Sequence, residues 1–210
     1  MNIVRFSVAN KASILEQAIT ILRAGGTVVY PTETAYGLGA DFYSPTAYKK
    51  IFQIKFRDRS KVLSVIVPDV DYASMLVKFP PAALRLAQYH WPGPLTLVLP
   101  FLYGDAYPHH QDPYLALRVS SHPVAMNLAR GLSGPLIATS ANVTGSGPCY
   151  SVSAIVGQLR NSTIVPDLII DAGDLPVVLP STIVKVDGDS VQILRQGAVS
   201  IIEKKHGKGR

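Results

Sequence analysis

Short apolar runs alternate with polar turns along the chain, and their spacing predicts a mixed fold of strands and helices. Apolar runs rich in β-branched residues predict strands, and apolar residues repeated every three or four positions predict helices. The predicted strands cover residues 3–8, 27–30, 63–67, 95–99, 115–119, 136–138, 167–170, 183–186 and 191–194. The predicted helices cover residues 11–23, 46–54, 70–77, 82–89, 123–130 and 152–159. Polar residues that suit helix starts precede three of these helices, at Asn10, Ser44 and Ser151.

The stretch Tyr30–Asp41, YPTETAYGLGAD, joins a predicted strand to a polar loop. It carries hydroxyls, one carboxylate and two glycines, at Thr32, Glu33, Thr34, Tyr36, Gly37 and Gly39. Glycine lets the backbone take a positive φ or approach a ligand closely. A strand that ends in such a loop is typical of a small-molecule site, although an ordinary turn with solvated hydroxyls has the same pattern.

A second predicted strand end has the same design. The strand 136–138 is followed by Ser140 and Asn142, then by a glycine-containing loop and a helix that starts at Ser151. Backbone N–H groups at such a helix start suit anions.

Basic residues occupy every second position in one segment, at Lys55, Arg57, Arg59 and Lys61. In an extended segment, residues two apart share one face, so this run predicts several cations that meet one polyanion such as a triphosphate. A basic surface loop is the alternative. Arg118 lies inside a predicted strand, and because arginine is almost never buried unpaired, it reaches solvent or meets a carboxylate or phosphate.

Several well-known catalytic motifs are missing from the sequence. It contains no GxxxxGK[ST] phosphate loop, no GxGxxG, no GxSxG and no HExxH. The polar groups at predicted strand ends are mostly hydroxyls, amides and cations: Thr32, Tyr36, Lys55, Arg57, Arg118, Ser140, Asn142, Ser181 and Arg195. Such a set binds anions and favours catalysis by positioning and charge neutralisation over covalent or acid–base chemistry.

The composition is that of a globular protein, with 48% hydrophobic and 16% charged residues among 210. Residues 203–210 hold four of the 20 basic residues and one of the 14 acidic ones, so the net charge of +6 falls to +3 for the rest. We therefore predict one domain over residues 1–203 and a basic, mobile tail over residues 204–210. The remaining charge favours anionic ligands without indicating a dedicated nucleic-acid binder.

Other features exclude further classes of protein. No apolar run approaches the roughly 20 residues that a membrane span needs, so no membrane contact is predicted. Cys149 is the single cysteine, which excludes an internal disulfide and a cysteine zinc site and favours a cytoplasmic location. The adjacent pair His109 and His110 resembles a metal site only superficially, and we predict no metal ligands in the protein.

Seven blocks of sequence occur in the order found in one family: YPTETAYGLGAD, KFR, WPGPLTLVLP, LALRVSSHP, ATSANVTG, PSTIV and ILRQGA. Over nearly the whole chain they resemble the YrdC-like, or TsaC-type, threonylcarbamoyl-AMP synthases in their short, single-domain form. The resemblance implies an α/β fold with a twisted mixed sheet flanked by helices around a positively charged cavity. It implies that L-threonine, bicarbonate and ATP with Mg²⁺ are converted into threonylcarbamoyl-adenylate and pyrophosphate. The adenylate serves the threonylcarbamoyl modification of the adenosine next to the anticodon in certain tRNAs, and the implied downstream partners are the proteins that transfer the group to tRNA.

The resemblance also implies roles for single residues. The implied catalytic residues are Lys55 and Arg57. The implied ATP-binding residues are Lys55, Arg57, Ser140, Asn142, Ser151 and Arg195. The implied threonine-binding residues are Thr32, Tyr36, Arg118, Ser140 and Ser181.

Two departures from the family pattern leave the roles of two residues of the basic run, Arg59 and Lys61, undetermined by the resemblance. Relatives commonly have proline after the Lys-x-Arg and Pro-Leu before the next strand, where this chain has Asp58 and Val62–Leu63. Asp58 adds a negative charge that leaves the roles of Arg59 and Lys61 open.

Two other functions are compatible with the same residues. One is an RNA-binding or ribosome-maturation module, which the net charge and the basic tail favour; weak RNA binding is an expectation for the synthase as well. The other is a paralogue that has lost activity, against which the intact Lys-x-Arg and Ser-x-Asn pairs argue.

Overall fold

The computed structural model describes residues 1–58, 63–107, 109–110 and 112–201. Its strands are β1 (Asn2–Arg5), β2 (Thr27–Pro31), β3 (Tyr36–Ala40), β4 (Ser64–Ile66), β5 (Leu95–Pro100), β6 (Tyr114–Arg118), β7 (Leu136–Ile137), β8 (Thr139–Ser140), β9 (Leu168–Asp171), β10 (Thr182–Asp187) and β11 (Ser190–Arg195). Its helices are α1 (Lys11–Arg23), α2 (Pro45–Lys55), α3 (Val70–Leu76), α4 (Pro81–His90), α5 (Pro123–Leu132) and α6 (Val152–Leu159), and a 3₁₀ turn spans Gly104–Ala106. The predicted tail 204–210 lies outside the described residues, as do Arg59 and Lys61.

The strands form two mixed sheets, which confirms the predicted α/β class but divides the predicted sheet in two. The first sheet has the order β1-β9-β2-β3-β8 and the second has the order β11-β10-β5-β6-β4-β7. The strands β7 and β8 follow each other in the chain but belong to different sheets, so the chain crosses between the sheets at Ala138. The Ala138 N–H donates to the carbonyl oxygen of Ser64 at 2.7 Å. A strand that changes sheets makes a corner between them, and an unbroken apolar run in the sequence does not reveal it.

Helices cover the first sheet. Helix α1 packs against α5, and both helices contact β2. The apolar side chains of Leu22 on α1 and Leu128 on α5 are fully buried, as the helical spacing of apolar residues predicts. This layer fixes β2, and with it the turn that follows β2.

Two of the three predicted helix caps are present. The Ser44 hydroxyl accepts the Ala47 N–H at 3.3 Å at the start of α2, and the Ser151 hydroxyl accepts the Ala154 N–H at 3.2 Å at the start of α6. The prediction that Asn10 caps α1 is wrong, because its side-chain oxygen accepts the Ser7 N–H at 2.8 Å instead.

The prediction of a glycine loop after β2 is also wrong. Residues Tyr36–Ala40 form β3, which pairs antiparallel with β2, and only the turn 32–35 separates the two strands. A Cβ at Gly39 would lie 2.6 Å from the ring of Tyr30 and 2.9 Å from the carbonyl oxygen of Ile137. Glycine is needed at this position for close packing inside the sheet and not for a positive φ.

Candidate functional site

A cavity of about 890 Å³ opens where the two sheets meet. The first sheet contributes Tyr30, Tyr36 and Ser140 to the wall, and the second contributes Thr96, Ala116 and Ile183. This volume lies in the range of sites for small molecules and cofactors. The corner between the sheets therefore provides a space large enough for a ligand of nucleotide size.

Eight of the ten predicted site residues line this cavity. Five of them carry hydroxyl or amide groups: Thr32, Tyr36, Ser140, Asn142 and Ser181. Three carry guanidinium groups: Arg57, Arg118 and Arg195. Lys55 and Ser151 do not line it, and the hydroxyl of Ser151 caps α6.

The ammonium group of Lys55 lies behind the cavity wall. Lys55 is 2% exposed, and its Nζ donates to the carbonyl oxygen of Ser140 and, at 2.7 Å, to that of Asn142. The Thr144 N–H donates to the carbonyl oxygen of Lys55 at 2.9 Å. Burial and the neighbouring charge of Arg57 lower the pKa of Lys55 to about 8. Lys55 thus holds the segment that presents Ser140 and Asn142, and its contact with a phosphate stays a prediction.

The predicted extended run of cations is wrong at its start. Lys55 is the last residue of α2, and Phe56 ends the helix in the left-handed conformation with a φ of 49°. Lys55 and Arg57 therefore do not share one face of an extended segment, and Arg57 alone of the two lines the cavity.

Arg118 pairs with a carboxylate, which is one of the outcomes expected for an arginine in this strand. Its Nη1 donates to Oε1 of Glu33 at 2.6 Å, and the Ser120 hydroxyl donates to the other oxygen of that carboxylate. The side chains of Arg118 and Glu33 are 9% and 13% exposed. Glu33 follows β2 and Arg118 ends β6, so this ion pair joins the two sheets at the cavity. The sequence indicated that Arg118 needs a partner but did not identify it.

Arg195, the last residue of β11, is hydrogen-bonded to Ser181, which directly precedes β10. Arg195 donates to the Ser181 carbonyl oxygen from Nε at 3.0 Å and from Nη2 at 2.8 Å, and Nη2 also donates to the Ser181 hydroxyl at 3.0 Å. The Ser181 and Thr96 hydroxyls lie 3.1 Å apart. Burial and the charge of Arg118 lower the pKa of Arg195. An anion bound near both guanidinium groups would relieve their repulsion.

The hydroxyls of Thr32 and Tyr36 hold backbone around the cavity. The Thr32 hydroxyl accepts the Thr34 and Ala35 N–H groups, each at 3.2 Å, and thereby shapes the turn that carries Glu33. The Tyr36 hydroxyl donates to the Gly173 carbonyl oxygen at 2.7 Å and accepts the Ala172 N–H at 2.9 Å. Burial raises the pKa of Tyr36. Ligand contacts of these two side chains stay predictions.

Most charged side chains on the wall are basic. Within the described part of the chain, Arg57, Arg118, Lys185 and Arg195 are the cations and Asp112 is the anion. Glu33 is paired with one of these cations, Arg118, and the remaining basic side chains suit anionic ligands.

Tyr114 and Lys185 also line the cavity, although neither was among the predicted site residues. Lys185 Nζ lies 3.5 Å from the centre of the Tyr114 ring. Residues two apart in a strand share a face, so Tyr114 lies on the face of Arg118, and Lys185 lies on that of Ser181. This alternation is the signal that could have found them.

The pair His109 and His110 lies against aromatic side chains. His110 Nε2 lies 3.0 Å from the Tyr114 carbonyl oxygen, and burial lowers the pKa of His110. Among the described residues, no three His, Cys, Asp or Glu side chains are grouped as a metal site would require. None of the described helices has the length and apolar character required to cross a membrane.

Known proteins match this chain over most of its length. Residues 20–197 match the Sua5/YciO/YrdC family model, which is described as "Telomere recombination". A threonylcarbamoyl-AMP synthase of Vibrio cholerae is 35% identical over 190 residues, which cover 87% of this chain and 97% of that protein. Sua5 of Pyrococcus abyssi, solved in complex with L-threonine, is 30% identical with a TM-score of 0.82, over 93% of this chain and 57% of that one. Escherichia coli YciO is 25% identical with a TM-score of 0.79, over 95% of this chain and 96% of that one.

Proposed function

The chain belongs to the Sua5/YciO/YrdC family, and we propose that it is a threonylcarbamoyl-AMP synthase that works in the cavity between the two sheets. It converts L-threonine, bicarbonate and ATP into L-threonylcarbamoyl-adenylate and pyrophosphate. The observation that carries this proposal is the convergence of eight sequence-predicted polar residues on one cavity. A threonylcarbamoyl-AMP synthase at 35% identity supports the choice of reaction.

Threonine binds at the Arg118 end of the cavity. A guanidinium group has five N–H donors, so Arg118 can hold Glu33 through Nη1 and a ligand carboxylate through other donors. Thr32, Tyr36 and Ser181 also line the cavity, and their hydroxyls suit the polar groups of an amino acid. Glu33 holds the Arg118 guanidinium group in place. The carboxylate of threonine then supplies a second negative charge to the same guanidinium group.

ATP binds with its phosphates toward Arg57 and Arg195. Ser140 offers a hydroxyl to the cavity, and Asn142 offers its Oδ1, since its two amide N–H groups bond to the carbonyl oxygens of Val143 and Ser146. Lys55 holds both residues in place. A contact between Ser151 and ATP stays a prediction, because Ser151 does not line the cavity and its hydroxyl caps α6. ATP enters as its Mg²⁺ complex, in which the metal neutralises part of the phosphate charge.

The reaction forms two bonds in sequence. The deprotonated amine of threonine attacks the carbon of bicarbonate and water leaves, which gives a carbamate. A carbamate oxygen then attacks the α-phosphorus of ATP, and pyrophosphate leaves with the electron pair of the broken P–O bond. Carbamates decompose in water, so the cavity must exclude water and hold the carbamate in line with the α-phosphorus. Arg57 and Arg195 neutralise the charge that develops on the leaving pyrophosphate.

The proposal is tested by measuring pyrophosphate release with all three substrates and with each one omitted. We expect release only in the complete mixture, with serine a poorer substrate than threonine. Release without threonine, or no release with strong and salt-dependent RNA binding, would favour a different function. No release with ATP and threonine both bound would indicate a paralogue that has lost the activity.

Arg118 provides the sharper test of the threonine site. The substitution Arg118→Ala is expected to raise the threonine KM more than the ATP KM, because the lost cation faces the amino acid. Arg85→Ala, on the exposed side of α4, is the matched control and should change neither constant. A larger effect on the ATP KM would contradict the placement of threonine.

The unstable adenylate requires an acceptor close by. We propose that the product passes to the proteins that transfer threonylcarbamoyl to tRNA, in the cytoplasm where those tRNAs are found. Weak RNA binding would assist this transfer.

A further inference from the structure

The loop between β8 and α6 carries four residues of the cavity wall, the fourth being Tyr150, and has no regular secondary structure of its own. Asn142, Ser146 and Pro148 line the cavity, and residues 141–148 belong to neither a helix nor a strand. Gly145 takes a φ of 90°, which places a sharp turn at the tip of the loop. Backbone hydrogen bonds hold part of this loop, since the Ser146 N–H donates to the Val143 carbonyl oxygen at 3.0 Å and the Thr144 N–H to that of Lys55 at 2.9 Å, and side-chain contacts add to them.

Two side-chain amides supply these contacts from opposite sides. The Asn142 amide donates to the carbonyl oxygens of Val143 at 2.9 Å and of Ser146 at 2.5 Å. The Gln158 amide accepts the Val143 N–H at 3.0 Å and donates to the Gly147 carbonyl oxygen at 3.3 Å. Gln158 therefore links the two ends of the turn 143–147, and Asn142 links Val143 to Ser146 within it.

Helix α6 holds Gln158 in place. Gln158 is the second-last residue of α6, between Ile155 and Leu159, which are both buried in the core. The Ser151 hydroxyl caps the other end of the helix. The helix therefore anchors the Gln158 amide, and the loop is fixed relative to the sheet.

Gln158 is not on the cavity wall, so any effect that it has on a ligand must pass through the loop. Its two partners flank the segment that contains Ser146, and one of them directly follows Asn142. Lys55, at the end of α2, holds the start of the loop through the carbonyl oxygens of Ser140 and Asn142. The loop is thus fixed at both ends by residues outside the cavity.

We propose that Gln158 is a positioning residue for the nucleotide, which sets Asn142 and Ser146 in the places where ATP meets them. This inference rests on the proposed function, since it assumes that the nucleotide lies at this loop and threonine at Arg118. It predicts that loss of the Gln158 amide weakens nucleotide binding and leaves threonine binding unchanged.

The test uses Gln158→Met, which keeps the length of the side chain and removes both hydrogen bonds. The matched control is Gln17→Met, the same change at an exposed position on α1. The dissociation constants of α,β-methylene-ATP with Mg²⁺ and of L-threonine are measured by calorimetry. Because two neutral hydrogen bonds hold the loop, we expect the nucleotide constant to rise about tenfold in Gln158→Met. The threonine constant should stay within about twofold, and Gln17→Met should match the wild type.

Hydrogen exchange separates positioning from general destabilisation. The Val143 N–H donates to Gln158, so its exchange should accelerate in Gln158→Met while the amides of β2 and β9 keep their protection. If Gln158→Met does not fold, Gln158→Glu is the second variant. It keeps the acceptor for the Val143 N–H and loses the donor to the Gly147 carbonyl oxygen. It must still lose more affinity for the nucleotide than for threonine.

The outcomes distinguish this inference from the proposed function. Unchanged nucleotide affinity in Gln158→Met, or equal losses for nucleotide and threonine, overturns the positioning role. A selective loss of nucleotide affinity in a protein that releases no pyrophosphate supports the positioning role and rejects the synthase. A wild-type chain that binds no nucleotide analogue overturns both.

Discussion

Neutralising Glu33 should destabilise the protein by leaving Arg118 without its counter-charge. Glu33→Gln keeps the size of the side chain and an acceptor for Nη1 of Arg118 but removes the negative charge. Breaking a buried ion pair by removing one partner destabilises a protein by about 3–5 kcal/mol. The two side chains are 9% and 13% exposed, and Arg118 faces the cavity, so we expect the lower figure, about 3 kcal/mol. In a chain of this size that loss lowers the melting temperature by about 6–12 °C.

A double-mutant cycle isolates the ion pair from the loss of packing. Arg118→Met leaves the Glu33 carboxylate with Ser120 but without a cation, so it should destabilise the protein by a similar amount. The double variant contains neither charge and should come within about 1 kcal/mol of the wild type. Urea unfolding followed by circular dichroism gives the four free energies, provided that the m values agree.

Additive losses in the double variant would refute this reasoning, because they would show that the two charges do not stabilise each other. The control is Arg5→Met, which removes an ion pair to Asp171 in which the Arg5 side chain is 70% exposed. This variant should leave the unfolding midpoint unchanged, since solvent screens such a pair. A wild-type midpoint for Glu33→Gln would also contradict the prediction.

Three further predictions follow from the residues around the cavity. Arg57→Ala should lower pyrophosphate release about 100-fold or more with unchanged circular dichroism, and near-wild-type turnover would reject its role in charge neutralisation. The pKa of Lys55 is about 8, so its ammonium loses its proton as the pH rises past that value, and kcat/KM for ATP should fall. Lys55→Arg should move this fall to higher pH because a guanidinium keeps its proton, and an unmoved pH profile would assign the fall to another group. Tyr36→Phe leaves the Ala172 N–H without its acceptor and should reduce the free energy of unfolding in urea by about 1–3 kcal/mol, whereas a change below about 0.5 kcal/mol would contradict this contact.

The sequence predicted features that depend on neighbouring residues. Ser44 and Ser151 cap helices because a hydroxyl one residue before a helix reaches an N–H three positions on, a contact that spacing alone identifies. The same rule gave a wrong prediction for Asn10, whose side-chain oxygen accepts the N–H of Ser7, three positions before it, instead of one three positions after it. The alternation of residues in β6 placed Arg118 correctly inside a strand.

Contacts between distant parts of the chain could not be predicted in this way. The partner of Arg118 is 85 positions away, and the crossing at Ala138 depends on which strand each half of an apolar run joins. The roles of Gly39 and Lys55 also depend on distant neighbours, the Tyr30 ring and Ile137 in one case and the Ser140–Asn142 segment in the other. The family blocks identified eight residues that line the cavity, but they did not reveal that Lys55 lies behind its wall.

The crossing at Ala138 has a mechanical consequence for the cavity. Ala138 is part of the wall, and the peptide bonds on its two sides lead to opposite sheets. Drawing the sheets apart would therefore stretch a continuous covalent chain and not merely separate packed side chains. The covalent chain therefore fixes the separation of the two sheets at this point of the wall, whichever other wall residue is exchanged.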